Sequence, residues 1–462
     1  MPNNLTRREF MKDLGMFGAA ATLAPMVAFG EQDSDKAAPI ARPSFVKEVD
    51  VPTSGIDWPS IQRYNERNTV RRGFSKYVSE DEIARLTDLR TANTDKWLKE
   101  GKPGYTLKDY ALSAGSGVGY SELSFIGSQK AKTPEDLGVP KWTGTPEDAS
   151  RIVKAALRHY GAASVGFVEL ETETTEKLIY SIDPDGKEMI IDDVDEPMED
   201  EETRTIPKKA RWAIVYTVQM SEETFATAPT PLYSQTTTLT YRRARNIQDR
   251  AQNFLRGLGY MGMGEASTNA LAIAPALGVM AGLGELSRLN RLITPEYGPM
   301  VRVFKIITDL PLAPTKPIDA GLWDFCKDCK KCADHCPVKN LSFSDPTWEV
   351  KGGWNNPGHE AYFENSVACR SYWYTVGTNC GICFAVCPFS SKNLATYSRL
   401  RNYLAGRTTA FNKTLVSIDD LLYTPIPSTE RLGEPQKDPE LWWHQNLPEY
   451  GIDTMIPVRE KI

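Results

Sequence analysis

The 462-residue chain has no cysteine before residue 326, no basic block beyond its N-terminus, and no long apolar run free of glycine and proline. Lys and Arg total 54 against 60 Asp and Glu, a net charge of −6. Phosphate recognition needs clustered cations, so a nucleic-acid partner is excluded. Leu14–Gly30 is only seventeen residues long, rich in Gly and Ala and broken by Pro25. It would span a ~30 Å hydrocarbon layer poorly. Ser267–Gly284 carries no charge over eighteen residues, but holds four glycines or prolines and a polar start. That composition implies backbone packed closely against protein or a cofactor. Repeats and low-complexity tracts are absent too. What remains is an ordinary folded composition, 41% apolar and 25% charged, with length for two or three domains.

At the N-terminus Thr6-Arg7-Arg8-Glu9-Phe10-Met11-Lys12 precedes the apolar run. Paired arginines before an apolar stretch form a twin-arginine signal, an address and not an anchor. Ala28-Phe29-Gly30 before Glu31 is a candidate cleavage site. Export by this route carries folded proteins, so a cofactor can be installed before transport. Eight cysteines in an exported protein would otherwise suggest disulfides.

Their spacing decides. Cys326, Cys329, Cys332 and Cys336-Pro337 follow C-x2-C-x2-C-x3-C-P; Cys369, Cys380, Cys383 and Cys387-Pro388 repeat the idea with a stretched first spacer. In two-cluster ferredoxins the cysteine before proline ligates the neighbouring cluster. One 4Fe–4S cluster then takes Cys326, Cys329, Cys332 and Cys387, the other Cys336, Cys369, Cys380 and Cys383, and no thiol is left over. Zinc sites use paired C-x2-C knuckles without the Cys-Pro ending. Disulfide scaffolds belong to small domains.

Ahead of this module, Thr145-Pro146-Glu147-Asp148 starts a helix with apolar positions at Ile152, Val153, Ala156, Leu157 and Tyr160, stopped by Gly161. Strands are predicted at 164–170 and 213–218, and a helix following Tyr241 to Gly257. A charged helical stretch is expected near Glu80 to Leu98. The insertion from Asp183 to Glu202 holds eleven acids and one lysine and reads as a solvated excursion. The predicted organisation is a signal peptide at 1–30, an N-terminal region at 31–145 opening on a linker to residue 60, an α/β domain at 146–312, a ferredoxin-like module at 313–400, and a C-terminal extension at 401–462.

Four features together resemble the corrinoid-dependent reductive dehalogenases of organohalide respiration. They are the leader, the block ALRHYGAASVGFVEL, the run GLGELSRLNRLITPEYGPMVRVFKIITDLPL from Gly282 to Leu312, and the two-cluster module. Epoxyqueuosine reductases carry a related run but are cytoplasmic; an exported ferredoxin-type carrier is the reading from a different class. The resemblance implies an α/β (α+β) fold, with a nitroreductase-like cobamide-binding domain before the ferredoxin-like module. It implies a cobalt corrinoid fed by two 4Fe–4S clusters, an organohalide substrate such as a chlorinated alkene or arene, and a respiratory electron donor. It also implies peripheral attachment at the outer face of the cytoplasmic membrane through a small integral membrane anchor subunit. Association as a homodimer is open. No Asp-x-His-x-x-Gly motif surrounds any of the four histidines, in keeping with a corrinoid bound without a protein ligand to cobalt.

The resemblance further assigns a proton-donating tyrosine to Tyr241, with Tyr233 and Tyr260 nearby, and an amide and a cation to Asn269 and Arg302. A guanidinium stays charged and favours phenolate beside it, so such a phenol gives up its proton more readily. Asn269 could donate to departing halide. Corrinoid contacts are expected from Gly282, Gly284, Leu292, Thr294, Tyr297 and Gly298, where glycines permit close backbone approach.

Overall fold

The computed structural model describes residues 43–117, 123–390, 396–423 and 432–452. The twin-arginine leader lies outside the described residues. Among those residues no helix is long and apolar enough to cross a membrane.

At the centre are three antiparallel strands in the order β1 (Ser164–Glu169), β2 (Trp212–Gln219) and β3 (Val301–Thr308). Side chains alternate across the pleat and so feed two cores. Ile214, Tyr216 and Val218 of β2 join Phe304 and Ile306 of β3 on one face, while Ala213 and Val215 join Ile307 on the other. The first face is covered by two helices, which we designate α2 and α3 after the preceding α1 (Glu80–Glu100). Helix α2 (Pro146–Tyr160) starts as the sequence predicts, with the Thr145 hydroxyl accepting from the Asp148 amide at 3.1 Å and Gly161 ending it at φ 110°. Its Ala149, Val153 and Leu157 are buried against the sheet.

Helix α3 (Pro231–Leu258) differs from expectation: it begins at Pro231, capped by Thr230, and Tyr241 lies in its interior. The run Thr236-Thr237-Thr238-Leu239-Thr240 hides the helix, because β-branched residues are weak helix formers. Here the hydroxyls of Thr238 and Thr240 bond back to the carbonyls of Ser234 and Thr236, at 3.3 and 2.7 Å. Burial of Leu232, Tyr233, Ala244, Ile247 and Leu255 outweighs the local preference.

The opposite face of the sheet receives α4 (Ala274–Met280), the centre of the uncharged run, whose Leu277 and Val279 enter the core. The close-packed partner of that run is thus protein, the sheet itself. Two other expectations need correction. Residues 31–60 are not simply a linker, since Lys47–Glu48 pair with Ile318–Asp319 across the ferredoxin module. The acidic insertion is only partly solvated. Glu188–Asp192, Met198–Glu199 and Thr203–Pro207 form a small sheet, and Asp183 is 1% exposed. The cause is Arg204, 3% exposed, which pairs with Asp183, Asp185 and Glu199 at 2.9, 2.5 and 2.8 Å.

The ferredoxin module follows with α5 (Leu322–Cys329), α6 (Ser366–Val376) and single helical turns at Lys331–Asp334 and Ile382–Ala385. It docks tightly on the residues before β3. Gly298 has φ 54°, and a Cβ there would lie 2.2 Å from the Phe389 carbonyl oxygen. Gly298→Ala should therefore cost about 2–3 kcal/mol through overpacking and strain. Gly257→Ala in α3, where a Cβ meets nothing within 4 Å, should add ~0.5–1 kcal/mol instead. Denaturant unfolding of the two variants beside the parent checks both signs.

Candidate functional site

Arg302, Phe304 and Ile306 share one face of β3, and Thr237 and Tyr241 lie one turn apart on the α3 surface above it. The Arg302 guanidinium consequently sits 5.6 Å from the Tyr241 ring centroid and donates to the Thr237 hydroxyl at 3.3 Å. Tyr241 stands edge-on to Phe304 at 5.7 Å, which fixes its ring. Its hydroxyl donates to Oδ1 of Asn269 at 3.2 Å. The amide nitrogen of Asn269 has no partner among the described residues. The structure thus brings Tyr241, Asn269 and Arg302 to one place. Tyr260 is elsewhere, donating to the Trp142 carbonyl at 3.0 Å. Tyr233 is deeply buried, which raises its pKa despite nearby Arg302, and its hydroxyl accepts from the Asn379 amide at 3.1 Å.

Asn269 is held by a strained loop. It and Leu271 adopt φ values of 65° and 75°, left-handed conformations that cost a non-glycine residue ~1–3 kcal/mol each. The restraint is Asp183, whose Oδ1 accepts from the Leu271 amide at 2.7 Å while its Oδ2 pairs with Arg204. Nearby, Lys305 and Glu265 form a fully buried pair at 2.8 Å. Burial pushes the Glu265 carboxyl up, with Lys305 opposing. Sequence reasoning missed Asp183 as a support. Its only trace was the turn Asp183-Pro184-Asp185-Gly186; nothing local indicated that Arg204 would fold back onto it.

Gly282, Gly284, Leu292, Thr294, Tyr297 and Gly298 are all buried by protein. Gly284 approaches the Ile293 carbonyl, and the Thr294 hydroxyl donates to the Gly298 carbonyl at 3.1 Å while accepting from the Tyr297 amide at 3.0 Å. These contacts dock the run on its neighbouring backbone.

The eight thiols are free and fall into two groups. Cys326, Cys329, Cys332 and Cys387 line one hollow with Arg288, Ile293, Phe325 and Phe389. In the other group Cys383 interacts electrostatically with Cys380, Cys369 and Cys336, and also with Cys332 of the first. Burial, reinforced by the Cys326 thiol, pushes Cys387 up to about 12. Burial is also the main cause that pushes Cys326 up to about 11 and Cys380 to about 12. Four such thiols ionise together only around a strongly positive centre. Two sets of four cysteines, each closed by a Cys-Pro residue from the other half of the module, have the donor type and number that a four-iron cluster takes. The second group lies beside the polar triad, because Phe384, next to Cys383, has its ring 6.0 Å from the Arg302 guanidinium.

Family comparisons agree with this division. A family described as reductive dehalogenase subunit matches residues 41–312, and a 4Fe–4S double cluster binding domain matches residues 325–390. The chain belongs to the reductive dehalogenase family. It is similar to the tetrachloroethene reductive dehalogenase of Sulfurospirillum multivorans, 28% identical over 97% of this chain and 95% of that one. A tetrachloroethene reductive dehalogenase of Desulfitobacterium hafniense is 36% identical over 39% of this chain and 33% of its own length. Among solved structures, the catabolic reductive dehalogenase NpRdhA shares the fold with a TM-score of 0.60 and 23% identity over 85% of this chain. This chain spans 50% of that protein's length. Similarity to an epoxyqueuosine reductase of Lactococcus garvieae, 27% identical, is confined to 32% of the chain. As a member of the reductive dehalogenase family, the protein is an oxidoreductase, and the double-cluster module is its electron-transfer part. The carrier-only reading left residues 41–312 without a purpose and falls away.

In this reductive dehalogenase Asp183→Ala should leave Arg204 partly uncompensated and free the Asn269 loop, costing ~3–5 kcal/mol. Asp183→Asn, which keeps an acceptor for the Leu271 amide, should lose less. Chemical unfolding, read beside iron content, distinguishes the two.

Proposed function

We propose that the protein is a respiratory reductive dehalogenase of chlorinated alkenes, using a cobamide held near Tyr241, Asn269 and Arg302. The carrying observation is that this polar triad lies against the Cys383 side of the double-cluster module. Replacing halogen by hydrogen consumes two electrons and one proton and yields R–H and halide. A cobamide, when bound, supplies the strongly reducing cobalt that opens the carbon–halogen bond.

The residues fit such a group. Arg302 Nε and Ser267 Oγ are buried without partners among the described residues. Tyr241 holds the proton at its phenolic oxygen, oriented by Asn269. Arg302 places a permanent positive charge beside that ring, where it stabilises negative charge developing in the reaction. The unpartnered amide nitrogen of Asn269 can donate to the departing halide. Phe384 and its neighbour Cys383 bring an iron–sulfur ligand set up to the same cation.

Support for the substrate class comes from relatives named for tetrachloroethene, trichloroethene and chloroethene, each aligned over 97% or more of this chain. Support for the outer face of the cytoplasmic membrane, and for a small integral membrane anchor subunit, comes from the paired arginines at 7 and 8 with the apolar run behind them.

Anaerobically reconstituted protein should contain cobalt and release chloride from chlorinated ethenes under a strong reductant. Material with full iron but no cobalt, or no chloride release from any of these substrates, overturns the proposal. Tyr241→Phe should slow turnover by about 10²-fold or more at unchanged iron and cobalt content. Arg302→Lys keeps the charge but loses the planar fork, and should also lower the rate, again with both metals retained.

A further inference from the structure

The hollow bounded by Cys326, Cys329, Cys332 and Cys387 has one lining residue whose chemistry no ligand role explains. Arg288 comes from the turn between Glu285–Leu286 and Leu292–Ile293, in the dehalogenase part of the chain, and is 1% exposed inside the ferredoxin module. Its guanidinium makes five hydrogen bonds, all to backbone carbonyls. Nε and Nη2 donate to the Cys326 carbonyl at 3.0 and 2.8 Å, Nη2 also to Lys327 at 3.4 Å, and Nη1 to Ser342 and Ser344 at 2.6 and 3.0 Å. Its flat face lies 4.1 Å from the Tyr362 ring centroid. Among the described residues no carboxylate pairs with it.

This is an expensive arrangement. An arginine keeps its proton in proteins, and a buried charge without a counter-ion is destabilising where a neutral side chain would not be. Other buried cations of the module are matched: Lys331 pairs with Asp419 and Asp420 at 2.6 and 2.9 Å, and Arg401 lies 3.6 Å from Asp419. Arg288 alone among these three has no carboxylate within ion-pair distance among the described residues; Glu285, which also acts on Cys326, gives its carboxylate oxygens to Thr53 and to the amides of Ala320 and Leu322. Adding an electron to a four-thiolate cluster makes its negative charge larger. A fixed cation against its ligand loop stabilises the reduced form more than the oxidised one, and cluster potentials respond to nearby charge.

We infer that Arg288 is a potential-setting residue: its uncompensated buried charge raises the midpoint potential of the cluster held by Cys326, Cys329, Cys332 and Cys387. The other cluster, on the Cys383 side, faces Arg302 and the substrate site. The Arg288-linked cluster is therefore the farther one, and the guanidinium makes it the readier acceptor of an incoming electron. One electron is taken up and no bond is made or broken.

The test is a reductive titration of the cluster-loaded protein, followed by the paramagnetic resonance of its reduced clusters. Arg288→Gln should shift one couple to more negative potential and leave the other in place, while Arg288→Lys should remain close to the parent. An unchanged couple in Arg288→Gln overturns the inference, as does an equal drop in both variants, which would assign the effect to hydrogen bonding and not to charge. Should Arg288→Gln fail to hold its cluster, Ser342→Asp decides. It sets a carboxylate beside Nη1 while keeping an acceptor for the Ser344 amide, which the Ser342 hydroxyl now serves at 3.0 Å. The same couple should then fall relative to Ser342→Asn. Coincident potentials in that pair overturn the inference.

Discussion

The rest of the architecture depends on one cation between two rings. Arg302, the second residue of strand β3, meets Tyr241 on one side and Phe384 on the other, at 5.6 and 6.0 Å. One ring belongs to the helix carrying the phenol, the other to the helical turn carrying Cys383. A guanidinium suits this position because its planar, weakly hydrated cation tolerates aromatic faces better than an ammonium would. The sheet fixes where the cation starts, the helix fixes the phenol, and the cluster module closes over both. Chemistry and electron supply thereby share a single contact.

Rigid elements alone would not place Asn269. It stands on a loop whose backbone is strained at two residues, and the compensation lies in the acidic insertion, through Asp183 and Arg204. Buried ion pairs contribute little net stability, because desolvation offsets the attraction. Their effect here is geometric: removing one member of the pair uncovers a charge, so the loop has little freedom to relax. The same holds for Lys305 and Glu265, which sit without solvent beside the sheet.

What could be read from the sequence divides along physical lines. The cysteine spacing was legible because ligand geometry is local, and the cap at Thr145 with the stop at Gly161 was legible because both are written within a few residues. The start of α3 was not, since tertiary burial overrode four threonines. Tyr241, Asn269 and Arg302 could be singled out only through family likeness; periodicity alone would have left them as core and cap residues. Asp183 was hidden because its partner arrives from a separate strand. Arg288 gave no sign at all: an arginine after a serine reads as surface until its four carbonyl partners are assembled from separate stretches of the chain.

The short pairing of Lys47–Glu48 with Ile318–Asp319 has a consequence for synthesis. Its two halves are separated by most of the protein, and Thr53 and Ile56 add further ties, to Glu285 and His359. Closing so long a loop gains nothing until the distant partner exists. Residues 47–56 therefore reach their native pairing only after residues 318–319 and 359 have been made, so this early segment and the module that carries the cysteines settle together.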